Sequence, residues 1–143
     1  MKIVLVLATL LAAALMLTGA GPGVTYIPGD KVADSLTKGS VLLTQPDLIV
    51  QGAHRAGPGQ VEVHDKETDV IYITDGEATI VTGGTMVGGK NSSPGQWRGS
   101  DIQGGETRHM TKGDVLVVPA GIPHWFKEVP KSVNYFVVKA VKP

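Results

Sequence analysis

The stretch Gly-Asp-Val-Leu-Val-Val-Pro-Ala-Gly-Ile-Pro-His, residues 113–124, decides the fold of this chain. Its run of four apolar residues at 115–118 is typical of a strand, and Pro-Ala-Gly at 119–121 indicates a tight turn. Such a turn places the next strand back beside the first one, and His124 begins that second strand. The stretch therefore predicts a pair of strands with a histidine next to the turn.

A second polar pattern lies upstream, in the segment Val-Glu-Val-His at residues 61–64. Because side chains alternate along a strand, Glu62 and His64 share one face. Asp69 follows five residues after His64. If these side chains point inward, they and His124 form a metal site inside a small barrel. The pattern by itself leaves open the opposite arrangement, in which the two valines face inward and the polar pair faces water.

Both segments resemble the two sequence motifs of the cupin superfamily. The second motif is a glycine, five residues, Pro-x-Gly, two residues and a histidine, and the segment ending at His124 meets every position. The first is His-x-His, three or four residues, a glutamate, six residues and a glycine. His64 and Gly76 match it, whereas Glu62 stands for the first histidine and Asp69 for the glutamate. The resemblance covers roughly residues 48–139.

This resemblance implies an all-β fold, the double-stranded β-helix or jelly-roll barrel of cupins. It also implies a divalent metal ion bound by Glu62, His64, Asp69 and His124, with a small-molecule ligand or substrate at the barrel mouth. Nitrogen and oxygen donors of this kind suit Fe, Mn, Ni or Zn. Cupins include dioxygenases, isomerases, decarboxylases, storage proteins and sugar-binding modules, so the resemblance leaves open whether the chain is an enzyme.

Two other functions stay open beside the metal-binding one. The first is a non-catalytic module that binds or senses a small molecule without metal. The second is a structural dimer in which the altered first motif marks a lost metal site. Tyr72, His109 and Trp125 are further candidates for the ligand pocket; the alternatives are that the aromatic residues belong to the core and that His109 lies in a surface loop.

The first twenty residues predict a secretory signal peptide. Lys2 precedes an almost wholly apolar run at 3–17, and the small residues Thr-Gly-Ala at 18–20 favour cleavage after Ala20. The alternative is an uncleaved anchor, although about fifteen apolar residues fall short of the roughly 20 that span a bilayer. We expect an exported protein, periplasmic or secreted, with residues 21–143 forming a single domain and with no membrane association after cleavage.

Composition excludes several other classes of function. The chain has no cysteine, and so it has no disulfide framework, no thiolate nucleophile and no thiolate metal site. Its 13 basic residues balance its 13 acidic residues. Because no basic patch is visible, we do not expect nucleic-acid binding.

Turn residues separate the remaining segments into many short strands. We predict strands at 40–44, 47–54, 60–64, 69–74, 77–82, 115–119, 124–128 and 133–141, with a short N-terminal helix at 31–36. Asp30 is the predicted helix cap, and the helix is expected to stop before Gly39. Asp75-Gly76 predicts a two-residue hairpin turn.

Two regions bear on ligands and partners. Residues 82–108 are rich in glycine and predict a long irregular connection, either a lid or binding loop or an insertion at the barrel mouth. Within it, Trp97 and Arg98 either fold over a ligand or pack on a neighbouring subunit. The apolar segments at 41–43 and 135–138 are expected to be sheet edges, which proteins cover by pairing, and they therefore predict a homodimer.

Overall fold

The computed structural model describes residues 23–143, which are built mostly of β-strands. The predicted signal peptide at 1–20 lies outside the described residues. Within them, no helix is long and apolar enough to cross a membrane.

One helix, α1 (Gly29–Lys38), precedes the strands. It ends at Gly39, as predicted, because that residue adopts φ 71° and donates its N–H to the carbonyl oxygen of Ser35. The predicted cap at Asp30 is wrong: Pro28 holds the cap position without a side-chain hydrogen bond, and Asp30 lies in the first turn. There its negative charge interacts favourably with the positive, N-terminal end of the helix dipole.

Twelve strands follow within the described residues. They are β1 (Val41–Thr44), β2 (Leu48–Arg55), β3 (Val61–His64), β4 (Glu67–Thr82), β5 (Thr85–Val87), β6 (Lys90–Ser93), β7 (Gln96–Gly99), β8 (Asp101–Gln103), β9 (Glu106–Thr111), β10 (Val115–Val118), β11 (His124–Glu128) and β12 (Val133–Val141).

The long strand β4 joins two antiparallel sheets into one curled structure. Its first half pairs with β12 and β10, and β12 continues to β2 and β1. Its second half pairs with β9 and β11, and β11 continues to β3, β7 and β6. This is the predicted jelly-roll architecture, with a partly open cavity between the two sheets.

The predicted hairpin at Asp75-Gly76 is wrong, because β4 runs through both residues. Opposite them, Asn134 of β12 pairs with Asp75 and the next residue, Tyr135, pairs with Ile73, so β4 carries one extra residue at this point. Such a bulge bends a strand. Thr74 is this extra residue. Two residues later Gly76 adopts φ 76°, and a Cβ at this position would overlap the carbonyl oxygen of Ser132.

Residues 82–108 are also more regular than predicted. They form the four short strands β5 to β8 and the start of β9, with glycines of positive φ between them, as at Gly95 and Gly104. Strand β7 pairs along its whole length with β3 and so becomes part of the barrel wall. These strands are held by backbone pairing and mostly carry polar residues. Their sequences therefore have no apolar periodicity from which strands could be predicted.

The segment at 135–138 is not an edge, because β12 lies between β2 and β4 and pairs with both. The core explains its apolar character. Tyr135 and Val137 of β12 pack with Ile71 and Ile73 of β4 and with Phe126 of β11. Several of these side chains also line the cavity, so the core supports the site directly.

Candidate metal centre

A cavity of about 350 Å³ lies between the two sheets and is lined by several charged side chains. The four predicted ligands all line it. β3 supplies Glu62 and His64, β4 supplies Asp69, and β11 supplies His124, which pairs in register with Glu62. Both histidines and Asp69 are buried. The structure therefore selects the inward arrangement of the polar pair at 62 and 64.

Four donor atoms face one another in this cavity. His64 Nε2 lies 3.5 Å from Asp69 Oδ2 and 3.7 Å from Glu62 Oε2. His124 Nε2 lies 3.5 Å from Glu62 Oε2 and 3.7 Å from Asp69 Oδ2. Tetrahedral ligands about 2.1 Å from a metal ion lie about 3.4 Å from one another. The observed separations are close to that value.

The outer nitrogens of both imidazoles are turned towards carbonyl oxygens. His64 Nδ1 lies 2.5 Å from Gln96 Oε1, and His124 Nδ1 lies 3.4 Å from the carbonyl oxygen of Ile122. Gln96 Nε2 donates to Glu67 Oε1 at 2.8 Å, which fixes the orientation of its amide. Because carbonyl oxygens only accept, these contacts assign the proton to Nδ1 and leave the Nε2 lone pairs in the cavity.

The test of whether this set suits a metal is His64 Nε2. Among the described residues, this atom is buried and has no hydrogen-bond partner. Buried polar atoms in native proteins almost always have a partner. Ligand atoms of Glu62, His64 and His124 all lie within 4.8 Å of one another, as do those of His64, Glu67 and Asp69. A divalent cation among these atoms would give His64 Nε2 a partner. The residues are therefore suited to binding such an ion.

Lys139 enters the same cavity from β12 and was not predicted. Its Nζ donates to Asp69 Oδ1 at 2.8 Å and to Asp69 Oδ2 at 3.0 Å, and it lies 2.9 Å from Glu67 Oε2. The alternation of β12 held a signal for it, because Lys139 has the same parity as the inward-facing Tyr135 and Val137. Glu67 has the same parity as Asp69 and Ile71 on β4, but this strand was predicted to begin only at Asp69.

Two arginines flank Glu62 on the side away from the histidines. Arg98 was one of the two residues expected either to fold over a ligand or to pack on a neighbouring subunit, whereas Arg55 was not predicted as a site residue. Arg98 Nη2 lies 3.5 Å and Arg55 Nη2 lies 3.7 Å from Glu62 Oε1. Arg98 comes from β7, in the segment expected to be irregular. Arg55 ends β2, and its Nε donates to the hydroxyl of Tyr135 at 2.8 Å.

These neighbours keep both carboxylates ionised. Burial works to raise the pKa of Glu62, but the contact with His124 and the charges of Arg98 and Arg55 outweigh it and lower the pKa to about 2. Burial also opposes ionisation of Asp69, whose pKa is nevertheless lowered by its contact with His64 and by the charge and hydrogen bonds of Lys139. Both side chains are therefore ready to bind a cation at neutral pH.

The three further candidates for the ligand pocket lie elsewhere. Tyr72 is 44% exposed, and its Cα pairs with Val115 of β10 outside the cavity lining. His109 is exposed on β9, with its Nε2 3.1 Å from Glu77 Oε2. Trp125 donates its indole N–H to the carbonyl oxygen of Gly59 at 2.7 Å.

Comparisons with known proteins agree with this architecture. The sequence profile described as cupin matches residues 55–143. KdgF from Halomonas sp. is similar at 15% identity over 73% of this chain and 77% of that one, with a TM-score of 0.52. An uncharacterised double-stranded β-helix protein from Klebsiella pneumoniae is 20% identical over 71% of this chain and 74% of that one, with a TM-score of 0.50.

A third structure, the Cnp3 cupin domain from Schizosaccharomyces pombe, has 15% identity and a TM-score of 0.52. The alignment covers 72% of this chain and 59% of that one. At these identities the solved structures establish the fold alone. No curated protein matches the chain.

Proposed function

Since this chain belongs to the cupin family, we propose that it binds a divalent metal ion in the cavity and a small-molecule ligand beside it. His64 and His124 would hold the ion through Nε2, with Glu62 and Asp69 as oxygen donors. The observation that carries this proposal is the buried His64 Nε2, which has no hydrogen-bond partner among the described residues. Fe, Mn, Ni and Zn all accept such mixed nitrogen and oxygen donors.

The surrounding residues have supporting roles in this proposal. Gln96 and the carbonyl of Ile122 hold the two imidazoles in the tautomer that binds a cation. Lys139 neutralises part of the carboxylate charge, so the cavity is stable before an ion enters. When bound, a divalent ion supplies Lewis acidity towards an oxygen of the ligand.

Metal binding can be tested by elemental analysis of the purified protein and by calorimetric titration of the metal-free protein with Mn(II), Ni(II) and Zn(II). Replacing His64 or His124 by alanine should weaken binding at least 100-fold, because each change removes a directional donor. Glu62→Ala and Asp69→Ala should weaken it less, since the other carboxylate still supplies charge. Glu62→His should raise the affinity for Ni(II) and Zn(II).

His109→Ala is the matched control, because it removes an exposed histidine outside the cavity and should leave the titration unchanged. Equal metal binding by the unaltered protein and by the His64→Ala/His124→Ala double variant would overturn the proposal.

A metal-free binding module is the second candidate, and Lys139 favours it. The ammonium group already gives Asp69 and Glu67 a cationic partner inside the protein. If this candidate is right, the purified protein contains no stoichiometric metal and the titrations show no binding, while the fold stays intact.

Export is also part of the proposal and rests on the apolar run at 3–17. N-terminal sequencing of the protein recovered outside the cytoplasm should begin at Gly21. Recovery of a chain that begins at Met1 in the membrane fraction would contradict export with cleavage.

A further inference from the structure

We propose that the small molecule bound in this cavity is an organic acid, whose carboxylate group binds between Arg55 and Arg98. This inference rests on the proposed function, because it names the class of ligand that the same cavity takes. It is carried by the charges that line the cavity, by the hydrogen-bonding of the two arginines and by the cavity size.

The charges of the lining residues balance before any ion is bound. Arg55, Arg98 and Lys139 are opposed by three carboxylates, those of Glu62, Glu67 and Asp69. The two histidines bind metals as neutral imidazoles and add no charge. A divalent cation would therefore leave two uncompensated positive charges in a partly buried cavity. An uncompensated buried charge is costly, so an anionic ligand is favoured over a neutral one such as a sugar.

The two guanidinium groups leave hydrogen-bond donors for that ligand. Their Nη2 atoms lie 3.5 and 3.7 Å from Glu62 Oε1, which is longer than a normal N–H···O hydrogen bond. Arg98 otherwise donates through Nη1 to the carbonyl oxygen of Trp97, and Arg55 through Nε to Tyr135. Among the described residues, neither Nη2 has a hydrogen-bond partner. The fork of an arginine matches the geometry of a carboxylate, which makes paired donors of this kind suitable for an acid.

Both arginines are held in place by the walls of the barrel. Arg98 pairs in register with Glu62 across β7 and β3. The guanidinium of Arg55 lies 5.0 Å above the ring of Phe126, a position that favours a cation. Their side chains are 32% and 25% exposed, so a ligand from solvent can reach them.

The size of the cavity limits the acid. About 350 Å³ lies at the lower end of the range for small-molecule sites. A short mono- or dicarboxylic acid fits this volume, and one of its oxygens would lie near the Nε2 atoms of the histidines. We therefore choose malonate as the probe and 1,3-propanediol, which has the same three-carbon length without charge, as its neutral control.

The experiment titrates malonate into Mn(II)-loaded protein after dialysis against buffer without excess metal, and repeats the titration with metal-free protein. We expect malonate to bind the loaded protein and 1,3-propanediol not to bind. Arg98→Gln and Arg55→Gln should each weaken malonate binding about tenfold or more, because each removes a charged donor. Both variants should still bind Mn(II), since neither arginine offers a donor to the ion.

Two further variants keep the result interpretable. Arg108→Gln removes an arginine on β9 that pairs with Glu106 outside the cavity, and it should change neither titration. Arg98→Lys keeps the charge but removes the fork, and should bind malonate less tightly than the unaltered protein. Thermal unfolding of each variant shows whether it is folded. If Arg55→Gln does not fold, the malonate titrations of the two Arg98 variants decide whether the inference holds.

The outcomes separate this inference from the proposed function. If Mn(II) binds but malonate does not, or if malonate binds equally well to all the Arg55 and Arg98 variants, the acid ligand is wrong and the metal site stands. If none of Mn(II), Ni(II) and Zn(II) binds, the metal site is wrong. Malonate binding to the metal-free protein that is lost in Arg98→Gln would then still support the acid ligand, and its absence would overturn it.

Discussion

Glu62 is the residue on which the electrostatics of the cavity depend. One of its oxygens faces two arginines and the other faces His124 and His64. Because these contacts lower its pKa to about 2, its ionised form is stabilised in the folded state relative to the unfolded chain, where the pKa has its ordinary value of 4.5. The stabilisation is fully present above about pH 5 and is lost as the pH falls towards 2.

Glu62→Gln should therefore weaken the dependence of stability on acid. A group with these two pKa values loses about 2 kcal/mol of folding free energy between pH 7 and pH 3. Urea unfolding at both pH values should show that the variant loses about 2 kcal/mol less than the unaltered protein over this interval. Equal losses in the two proteins would show that Glu62 is not held in its ionised form by its neighbours.

Lys139 is a second residue whose replacement should change the stability of the protein. Its removal leaves Asp69 and Glu67 largely buried without their shared cation, and breaking a buried ion pair from one side costs about 3 to 5 kcal/mol. We expect Lys139→Met to lower the free energy of unfolding of the metal-free protein by about 3 kcal/mol, and to raise its affinity for Mn(II), because the ion then replaces the missing charge.

Lys38→Met is the control for Lys139→Met, since Lys38 pairs with Asp34 on the exposed face of α1. Its effect should stay within about 0.5 kcal/mol. A Lys139→Met protein as stable as the Lys38→Met protein would contradict the role assigned to Lys139.

Gly76, two residues after the bulge in β4, is the position of this strand that most restricts the type of residue. Gly76 combines a positive φ with close approach of the Ser132 carbonyl, whereas Gly113 has a positive φ and no neighbour near its missing Cβ. Gly113→Ala should cost about 1 to 3 kcal/mol from backbone strain alone. Gly76→Ala should cost more, because it adds an overlap with backbone atoms. Chemical denaturation of both variants makes the comparison, and equal losses would rule out the close contact.

The bulge also explains which elements sequence patterns predict and which they do not. Apolar runs bounded by turn residues locate most strands correctly, because burial imposes their pattern. Asp75-Gly76 has the composition of a hairpin turn, yet both residues continue β4 just after a bulge, and only pairing with the partner strand β12 decides between a turn and a continued strand. The short strands around Gly95 carry polar residues, so their pairing with β3 leaves no apolar pattern.

The same limit applies to the site. His64 and His124 could be predicted because they occupy the histidine positions of the two segments that resemble the cupin motifs. Arg98 and Gln96 reach the cavity through the pairing of β7 with β3, a contact between segments about thirty residues apart that no local pattern encodes. Lys139 could have been predicted, because side chains alternate along β12 and Lys139 lies on the same face as the inward-facing Tyr135 and Val137.

On the scale of the whole molecule, one outer surface is unusually apolar. Val115 and Val117 of β10 pair with Tyr72 and Val70 of β4, and all four side chains are 36–58% exposed. Within the described residues β10 has no strand on its other side. Exposed apolar surface beside an open strand edge is a common site of self-association, and this surface takes the place of the edge first expected at 135–138.

We expect the protein to form a dimer through this surface. Light scattering at micromolar concentration should give twice the mass of one chain, and Val117→Lys should give a monomer, because a charge at the centre of the surface opposes burial. Val24→Lys is the control, since that valine is 99% exposed near the start of the described chain. A monomer mass for the unaltered protein would contradict the prediction.

The passage of β4 through both sheets has a consequence for how the protein comes apart. Its sixteen residues pair at one end with β10 and β12 and at the other with β9 and β11. Opening either sheet frees half of a strand whose other half is still hydrogen-bonded in the second sheet. Amide protons in the two sheets should therefore exchange with solvent at one common free energy, as a single cooperative unit. Disassembly of the cavity then coincides with global unfolding.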